Sequence, residues 1–531
     1  MPKSNREIIK VDFPQRPYIK TIAKGSLLTV AGTALGIILN LLLRLILARG
    51  LGTAQYGEFV LAYTIVGLAS IFVTLGMTRT LSRFLPFFEA RKLVGRSKGL
   101  FKFSGIVGIS TSLVIAILLF LFAKDIAVCF SGGKNLTWIL RIFAIGLPFV
   151  AMGNLTLGAL RGFKNISDFV LIQNLLNPGF KLIVAFCILF IFHKSLGHLA
   201  TGYVICFGAS FLISLICLFR SNRVFNKWSS IRSENNTREI LNFSLPLLGS
   251  DLLGSFRYRA DAIILGYMMS VTEVGLYYVC IPVARALQLV LTSVNKIFMP
   301  SMSELYSKNN FEDLRHIYGR VSLWIFYATF PMFLMICTFP EIIIEALFGE
   351  KYISSSGALI ILSFGFFINA VSGPFGETFI AIGRPRLNMY ASFISLGINI
   401  GLMVTFIPIY GLSGAATAAS TSLVCGCLFG SGMLYRYSKL QPFRREHLKS
   451  IIAISLAFVG PAYTFNLISS VWQTWILPIF IVFVYATSFL SLLFLGCFDD
   501  DELKIFESVI NRLPIRLHQH MLKLSKVRVK I

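Results

Sequence analysis

The sequence predicts an all-α polytopic membrane protein. Fourteen transmembrane helices form two parallel six-helix lobes around a central cavity, with two further helices at the C-terminal end. Three observations lead there. Apolar runs of about twenty residues recur along the chain, the length that crosses a hydrocarbon core. Basic residues gather in alternate connections between those runs. The two halves of the chain repeat a pattern of connecting glycines at a near-constant offset.

Composition sets the class. Of 531 residues, 56% are hydrophobic and 14% charged, with a mean hydropathy of +0.75. A soluble chain carries roughly a quarter charged residues, and a soluble fold would need helices apolar all round in one very large core. The formal net charge of +25 would suit nucleic acid, but the basic residues lie in short segments between apolar runs, where topology places them. No nucleic-acid partner is expected. The nine cysteines lie mostly in or beside apolar segments, and Cys425-Gly-Cys427 has the wrong spacing for a metal or redox pair. The six histidines fall at loops or helix ends, and no HExxH, GxSxG or GxxxxGK[ST] pattern occurs. No cofactor, metal or catalytic residue is expected.

Hydropathy sets the spans at 26–48, 58–77, 101–123, 138–160, 168–192, 198–219, 241–268, 276–295, 320–339, 357–380, 388–408, 411–434, 450–469 and 474–497. The first run is too long for a signal-peptide core and lacks a small-residue cleavage site, so it is expected to be retained. Gly411 and Gly414 of "YGLSG" mark a hairpin turn between the eleventh and twelfth spans. With the N-terminus inside, and Lys102, Arg141 and Arg320 at span ends counted with the adjoining connections, 38 of the 49 Lys and Arg residues lie on the inner side, 6 on the outer side and 5 deeper within spans. That ratio puts both termini in the cytoplasm of a cell-membrane protein.

The organisation follows. Residues 1–25 form a basic cytoplasmic segment, 26–219 the N-lobe, 220–240 a cytoplasmic linker, 241–434 the C-lobe and 450–497 the last two helices. Residues 498–531 form an amphipathic and basic tail that rests on the anionic inner leaflet.

The repeat aligns "GTAQYGEFVLAY" (52–63) with "SVTEVGLYYVCI" (270–281), pairing Gly57 with Gly275. It also pairs Gly162 of "RGFKN" with Gly383 of "IGRPR", and Gly197 of "SLGHLATG" with Gly414 of "LSGAATAA". The offsets are 218, 221 and 217. Such a shift carries span 1 onto span 7. Six spans per repeat is an even number, so both lobes enter from the same side and the substrate site is expected between them.

The segment "ARGLGTAQYGEFVLAYTIVG" (48–67) resembles the signature of polysaccharide and lipid-linked oligosaccharide flippases. These belong to the multidrug/oligosaccharidyl-lipid/polysaccharide exporter superfamily. "LRGFKNISDF" (160–169) and "SLPLLGSDLLGSFRYRADAIILGYMMSVTEVGLYYV" (244–279) resemble the same family, and the likeness spans nearly the whole chain. It implies a two-lobed transporter with a V-shaped cavity and alternating access. Its members move undecaprenyl- or dolichyl-linked sugars from the inner to the outer leaflet. Implied partners are the lipid-linked oligosaccharide, membrane lipids, and a glycan polymerase or glycosyltransferases of the same pathway. The motifs do not specify the cargo.

Five cations lie more than three residues from either end of their span: Arg44, Lys181, Arg257, Arg259 and Arg285. Against them stand Asp251, Asp261 and Glu377 as the clearest intramembrane acids. A cation at the bilayer centre costs roughly 2.5–3.5 kcal/mol on insertion scales, so such residues face protein or water and mark a pathway. Surplus positive charge in a low-dielectric cleft attracts anions. For the implied substrate that anion is the phosphate or pyrophosphate joining sugar to lipid, which guanidinium binds bidentately. The bland reading stands beside it. Arg257 and Asp261 are one turn apart and suited to a structural ion pair. Asn40, Asn174, Asn177, Asn369 and Asn399 suit either sugar hydroxyls or interhelical bonds. Asp251 and Glu377 suit a coupling proton or cation, or a structural hydrogen bond.

Two rivals remain at this stage. A multidrug/cation antiporter of the same superfamily would place carboxylates at its drug site, against the charge balance found here. A membrane glycosyltransferase or polysaccharide polymerase would expose a catalytic cluster on a sizeable outer loop, and the outer connections are short.

Overall fold

The computed structural model describes residues 15–163, 165–193, 195–221, 233, 237–308, 310–472 and 477–497. Every regular element among them is a helix. The basic segment before residue 15, most of the expected linker and the tail after 497 lie outside the described residues. The chain divides into two compact units, Met1–Arg259 and Ala260–Ile531.

The first unit begins with α1 (Gln15–Leu51), α2 (Thr53–Thr74), α3 (Met77–Ala90), α4 (Val94–Cys129) and α5 (Lys134–Gly162). The next span, Ile166–Ile191, is composite. It comprises α6 (Ile166–Val170), a π-helical turn (Leu171–Leu176), α7 (Asn177–Phe186) and a second π-helical turn (Cys187–Ile191). α8 (Leu196–Ser221) completes the hairpin with it. The division between the units falls inside α9 (Thr237–Met268).

α3 stands where the sequence shows only an inner connection. It is an amphipathic helix whose Met77, Leu81, Leu85 and Phe88 recur every three or four residues and are buried. They join Leu100, Leu155, Leu160, Ile172 and Leu218 in the core of the first unit. Its other side keeps Phe87 exposed beneath the Arg91 guanidinium, 4.2 Å from the ring centroid.

The second unit continues with α10 (Val271–Ala286), α11 (Leu289–Ser307), α12 (Phe311–Thr338) and α13 (Pro340–Phe348). A 3₁₀ turn (Glu350–Ser355) leads into α14 (Ser356–Val371), followed by α15 (Phe375–Ala381), α16 (Pro385–Ser438), α17 (Arg445–Trp472) and α18 (Leu477–Phe494). The last two helices are fastened to α12. Met335 and Phe339 pack with Phe458, Phe465, Phe480 and Val484, and Tyr485 donates its hydroxyl proton to the Ala328 carbonyl at 2.8 Å.

Among the described residues, ten helices are long and apolar enough to cross a membrane, and eleven when α10 and the start of α11, bent by 54°, count as one broken span. Their side chains turn apolar groups outward, among them Ile117, Leu121 and Leu428. The 54 residues of α16 would reach about 81 Å as one straight helix, far beyond a core of about 30 Å. The helix is in fact folded back at Gly411, whose φ of 56° and ψ of −129° lie outside helical space. Ser395 then donates to the Ser422 carbonyl across the two arms at 2.9 Å, and a side chain at Gly414 would strike the Phe406 carbonyl. The hairpin expected at "YGLSG" is present. The bend lies about one turn after Pro282, where Leu287 and Gln288 bond back to Ala284 and Arg285 in tightened turns.

Gly411 supplies the first prediction. Gly411→Ala forces a side chain into a conformation open essentially to glycine, at a cost of about 1–3 kcal/mol. The purified protein in detergent should melt several degrees lower. Gly397→Ala, where an added methyl meets no atom within 4 Å, should melt like the parent. Equal midpoints for both variants would contradict the hairpin.

Candidate functional site

In the first unit, charged side chains converge on α2. Lys181 lies on α7 between the two π-helical turns. Each such turn takes up an extra residue and re-aims the side chains beyond it. Lys181 is only 8% exposed and donates a hydrogen bond to the Tyr63 hydroxyl at 3.3 Å. Its ammonium lies 4.9 Å from the Phe207 ring centroid, 5.7 Å from Tyr63 and 5.8 Å from Tyr203. The negative ring faces offset part of the desolvation of this buried charge.

Arg259 approaches the same helix one turn further on. A Cβ at Gly67 would lie 2.9 Å from Arg259 Nε, so the absent side chain is what lets the guanidinium rest against α2. Arg44 is half-buried on α1. The positive charges of Lys181, Arg259 and Arg44 all act on the Tyr63 hydroxyl. Among the described residues, none of these three cations forms an ion pair. Three of the five cations singled out in the sequence therefore share one neighbourhood inside one unit.

Aromatic packing holds that neighbourhood in shape. Phe59 stacks on Tyr63 at 6.2 Å between centroids, with 10° between planes. Phe143 and Tyr203 meet Tyr63 edge-on at 6.2 Å and 6.1 Å.

The second unit handles charge differently. Asp261 accepts hydrogen bonds from Tyr277 Oη at 3.2 Å and Asn399 Nδ2 at 2.8 Å. Arg285 is exposed, stands 5.8 Å from the Phe366 ring centroid and acts on Asp261 electrostatically. The expected intrahelical pairing of Asp261 with Arg257 concerns a side chain outside the described residues, as does Asp251. Glu377 is half-buried in the first turn of α15, where a carboxylate suits the helix dipole.

The repeat offset of 218 carries Lys181 onto Asn399. Both are buried, at 8% and 7% exposed, and each bonds to a side chain on another helix. One unit thus fills this position with a cation and the other with a neutral amide.

The asparagines weighed as sugar ligands are mostly engaged within the protein. Asn40 donates to the Gly36 carbonyl, Asn174 to Thr33, Asn369 to Cys427 and Asn399 to Asp261. The residues missed in the sequence are Tyr63, Tyr203, Phe207 and Gly67 around the cations, and Tyr277 beside Asp261. The spacing of Tyr56, Phe59 and Tyr63 put an aromatic face on α2, but an aromatic stripe at helical spacing reads first as packing. Glu58 was also missed. It is buried, bonds to Asn135 and leaves Oε2 without a partner among the described residues.

With that geometry established, comparison with known proteins gives consistent matches. The family model described as "Polysaccharide biosynthesis protein" matches residues 22–306, and the MatE model matches residues 246–405. A putative O-antigen transporter of Shigella flexneri is 22% identical over 420 residues, covering 77% of this chain and 96% of that protein. A probable low-salt glycan biosynthesis flippase of Haloferax volcanii is 25% identical over 258 residues, 48% of this chain and 54% of that protein. The solved structure of the lipid II flippase MurJ, in an inward closed conformation, superposes with a TM-score of 0.67 at 15% identity, covering 88% of this chain and 98% of MurJ. At that identity the likeness concerns the fold.

The Asp261 network yields a stability prediction. Asn399→Ala removes a donor from a carboxylate held between helices and should cost about 1–3 kcal/mol, seen as a lower melting midpoint in detergent. Asn40→Ala removes only a bond within its own helix and should melt near the parent value. A midpoint for Asn399→Ala no lower than that of Asn40→Ala would contradict the assigned bond.

Proposed function

Because the chain belongs to the polysaccharide biosynthesis protein family, we propose that it is a flippase. It carries a polyprenyl-(pyro)phosphate-linked oligosaccharide or polysaccharide repeat unit from the inner to the outer leaflet by alternating access. The observation that carries this reading is the buried Lys181 ammonium on the Tyr63 hydroxyl, with the Arg259 guanidinium against Gly67 one turn further along α2 and no ion pair to either cation among the described residues. Uncompensated positive charge at membrane depth is costly unless water or an anion reaches it. A glycosyl-phosphate headgroup brings both the negative charge and the oxygen geometry that guanidinium and ammonium groups match.

In this reading the phosphate docks on the cations, the glycan occupies the watery cleft beside them and the prenyl tail stays in lipid. Arg257 and Arg285 belong to the proposal as further phosphate ligands, and Asp251, Asp261 and Glu377 as ion-pair or coupling groups. The finer architecture is also proposed: fourteen spans, two parallel six-helix lobes with two added helices, a cell-membrane location and both termini in the cytoplasm. Pathway polymerases or glycosyltransferases are proposed partners.

The MatE match at residues 246–405 keeps a cation or drug antiporter as the second reading. Such a site needs an available carboxylate. Asp261 has both oxygens hydrogen-bonded by Tyr277 and Asn399, which favours the first reading.

The test is complementation of a deletion strain with Arg44→Ala, Lys181→Ala and Arg259→Ala, each at normal membrane abundance. Loss of a charge-assisted contact, about 1.5–3 kcal/mol, should slow transport about ten- to hundredfold and leave lipid-linked intermediates on the inner leaflet. Normal transport by all three variants would remove these residues from the mechanism.

A further inference from the structure

Tyr63 is unusual among its neighbours on α2. Tyr56 and Phe59 are 2% and 3% exposed, while Tyr63 is 40% exposed. The exposed part does not belong to a lipid-facing surface, because Lys181 bonds to its hydroxyl and the Arg259 guanidinium rests against Gly67 one turn further along the same helix. Turning that group to hydrocarbon would bring unpaired charges with it, at roughly 2.5–3.5 kcal/mol each. The open part of the ring therefore faces water.

The ring is also held in place. It stacks on Phe59 with 10° between planes and meets the edges of Phe143 and Tyr203, while the hydroxyl is fixed by Lys181. A binding partner would pay little to order it, because packing has already done so. What results is a rigid aromatic surface, wet on one side, covalently joined to the oxygen on which three cations act.

We propose that Tyr63 is the platform for the sugar bonded directly to the phosphate, so that the site reads the phosphate-proximal sugar together with the phosphate. The inference rests on the flippase reading above and adds the part of the substrate that is recognised. A phosphate held by Lys181, Arg259 and Arg44 has its first sugar one glycosidic oxygen away. That sugar falls beside the ring of Tyr63. A pyranose presents a face of C–H groups with slight positive potential, which complements the negative face of an aromatic ring. Sugars further along the glycan lie beyond this contact, so selectivity at this site concerns the first residue and tolerates variation in the rest.

The experiment measures binding to the purified full-length protein of farnesyl diphosphate and of the same lipid carrying one N-acetylglucosamine or one glucose. An aromatic contact of this kind contributes about 0.5–1.5 kcal/mol. Compared with Tyr63→Phe, which also loses the Lys181 bond but keeps the ring, Tyr63→Leu should weaken the better-bound glycosylated probe about three- to tenfold, with unglycosylated farnesyl diphosphate bound equally by the two variants within about twofold. Tyr63→Phe keeps the ring and should retain most of the preference for the glycosylated probe. Retained binding of farnesyl diphosphate by Tyr63→Leu reports that the variant is folded. Equal weakening of both lipids, or of neither, by Tyr63→Leu overturns the platform. Arg259→Ala should weaken both lipids alike. That result with an unaltered sugar preference in Tyr63→Leu refutes only the platform, whereas a parent protein that binds neither lipid refutes the flippase reading as well.

Discussion

Everything proposed for this protein depends on one electrostatic constraint. A positive side chain within an apolar helical bundle needs a carboxylate, water or an anion from outside. In the first unit, Arg44, Lys181 and Arg259 have no carboxylate partner among the described residues. Aromatic faces partly compensate Lys181, but a cation–π contact contributes about 0.5–2 kcal/mol, less than the full cost of burying an ammonium group. In the proposed mechanism, the remaining deficit is what an incoming phosphate would offset. In the second unit the buried carboxylate of Asp261 is held by two neutral donors, Tyr277 and Asn399.

Local backbone devices make the open arrangement possible. The π-helical turns on either side of α7 set the rotation of Lys181 relative to the rest of its span. Gly67 leaves the space that Arg259 occupies against α2. Phe59, Phe143 and Tyr203 fix the ring on which these charges act. None of these groups carries charge, and each determines where a charge sits.

The sequence made the membrane class, the helical fold, the "YGLSG" hairpin and the family readable, because those rest on long-range hydropathy and on turn chemistry. It also named all three cations of the cluster, since charge in an apolar run stands out. What it hid was their convergence. Tyr63 and Gly67 look like ordinary packing residues, and the π-helical turns that aim Lys181 have no strong sequence signature. Two partners of Asp261 come from residues 16 and 138 positions away, which periodicity along one helix cannot reveal. The amphipathic α3 was hidden for a related reason, since its basic residues read as a topology signal before they read as one side of a helix.

The most direct measurement is native mass spectrometry of the protein extracted from membranes that make polyprenyl-diphosphate glycans, beside a variant with Arg44, Lys181 and Arg259 all replaced by Gln. The parent should retain one glycan-bearing prenyl lipid, and the variant should keep ordinary phospholipids while losing that species. Equal retention of the glycolipid by both proteins would contradict the claim that these three charges hold its headgroup.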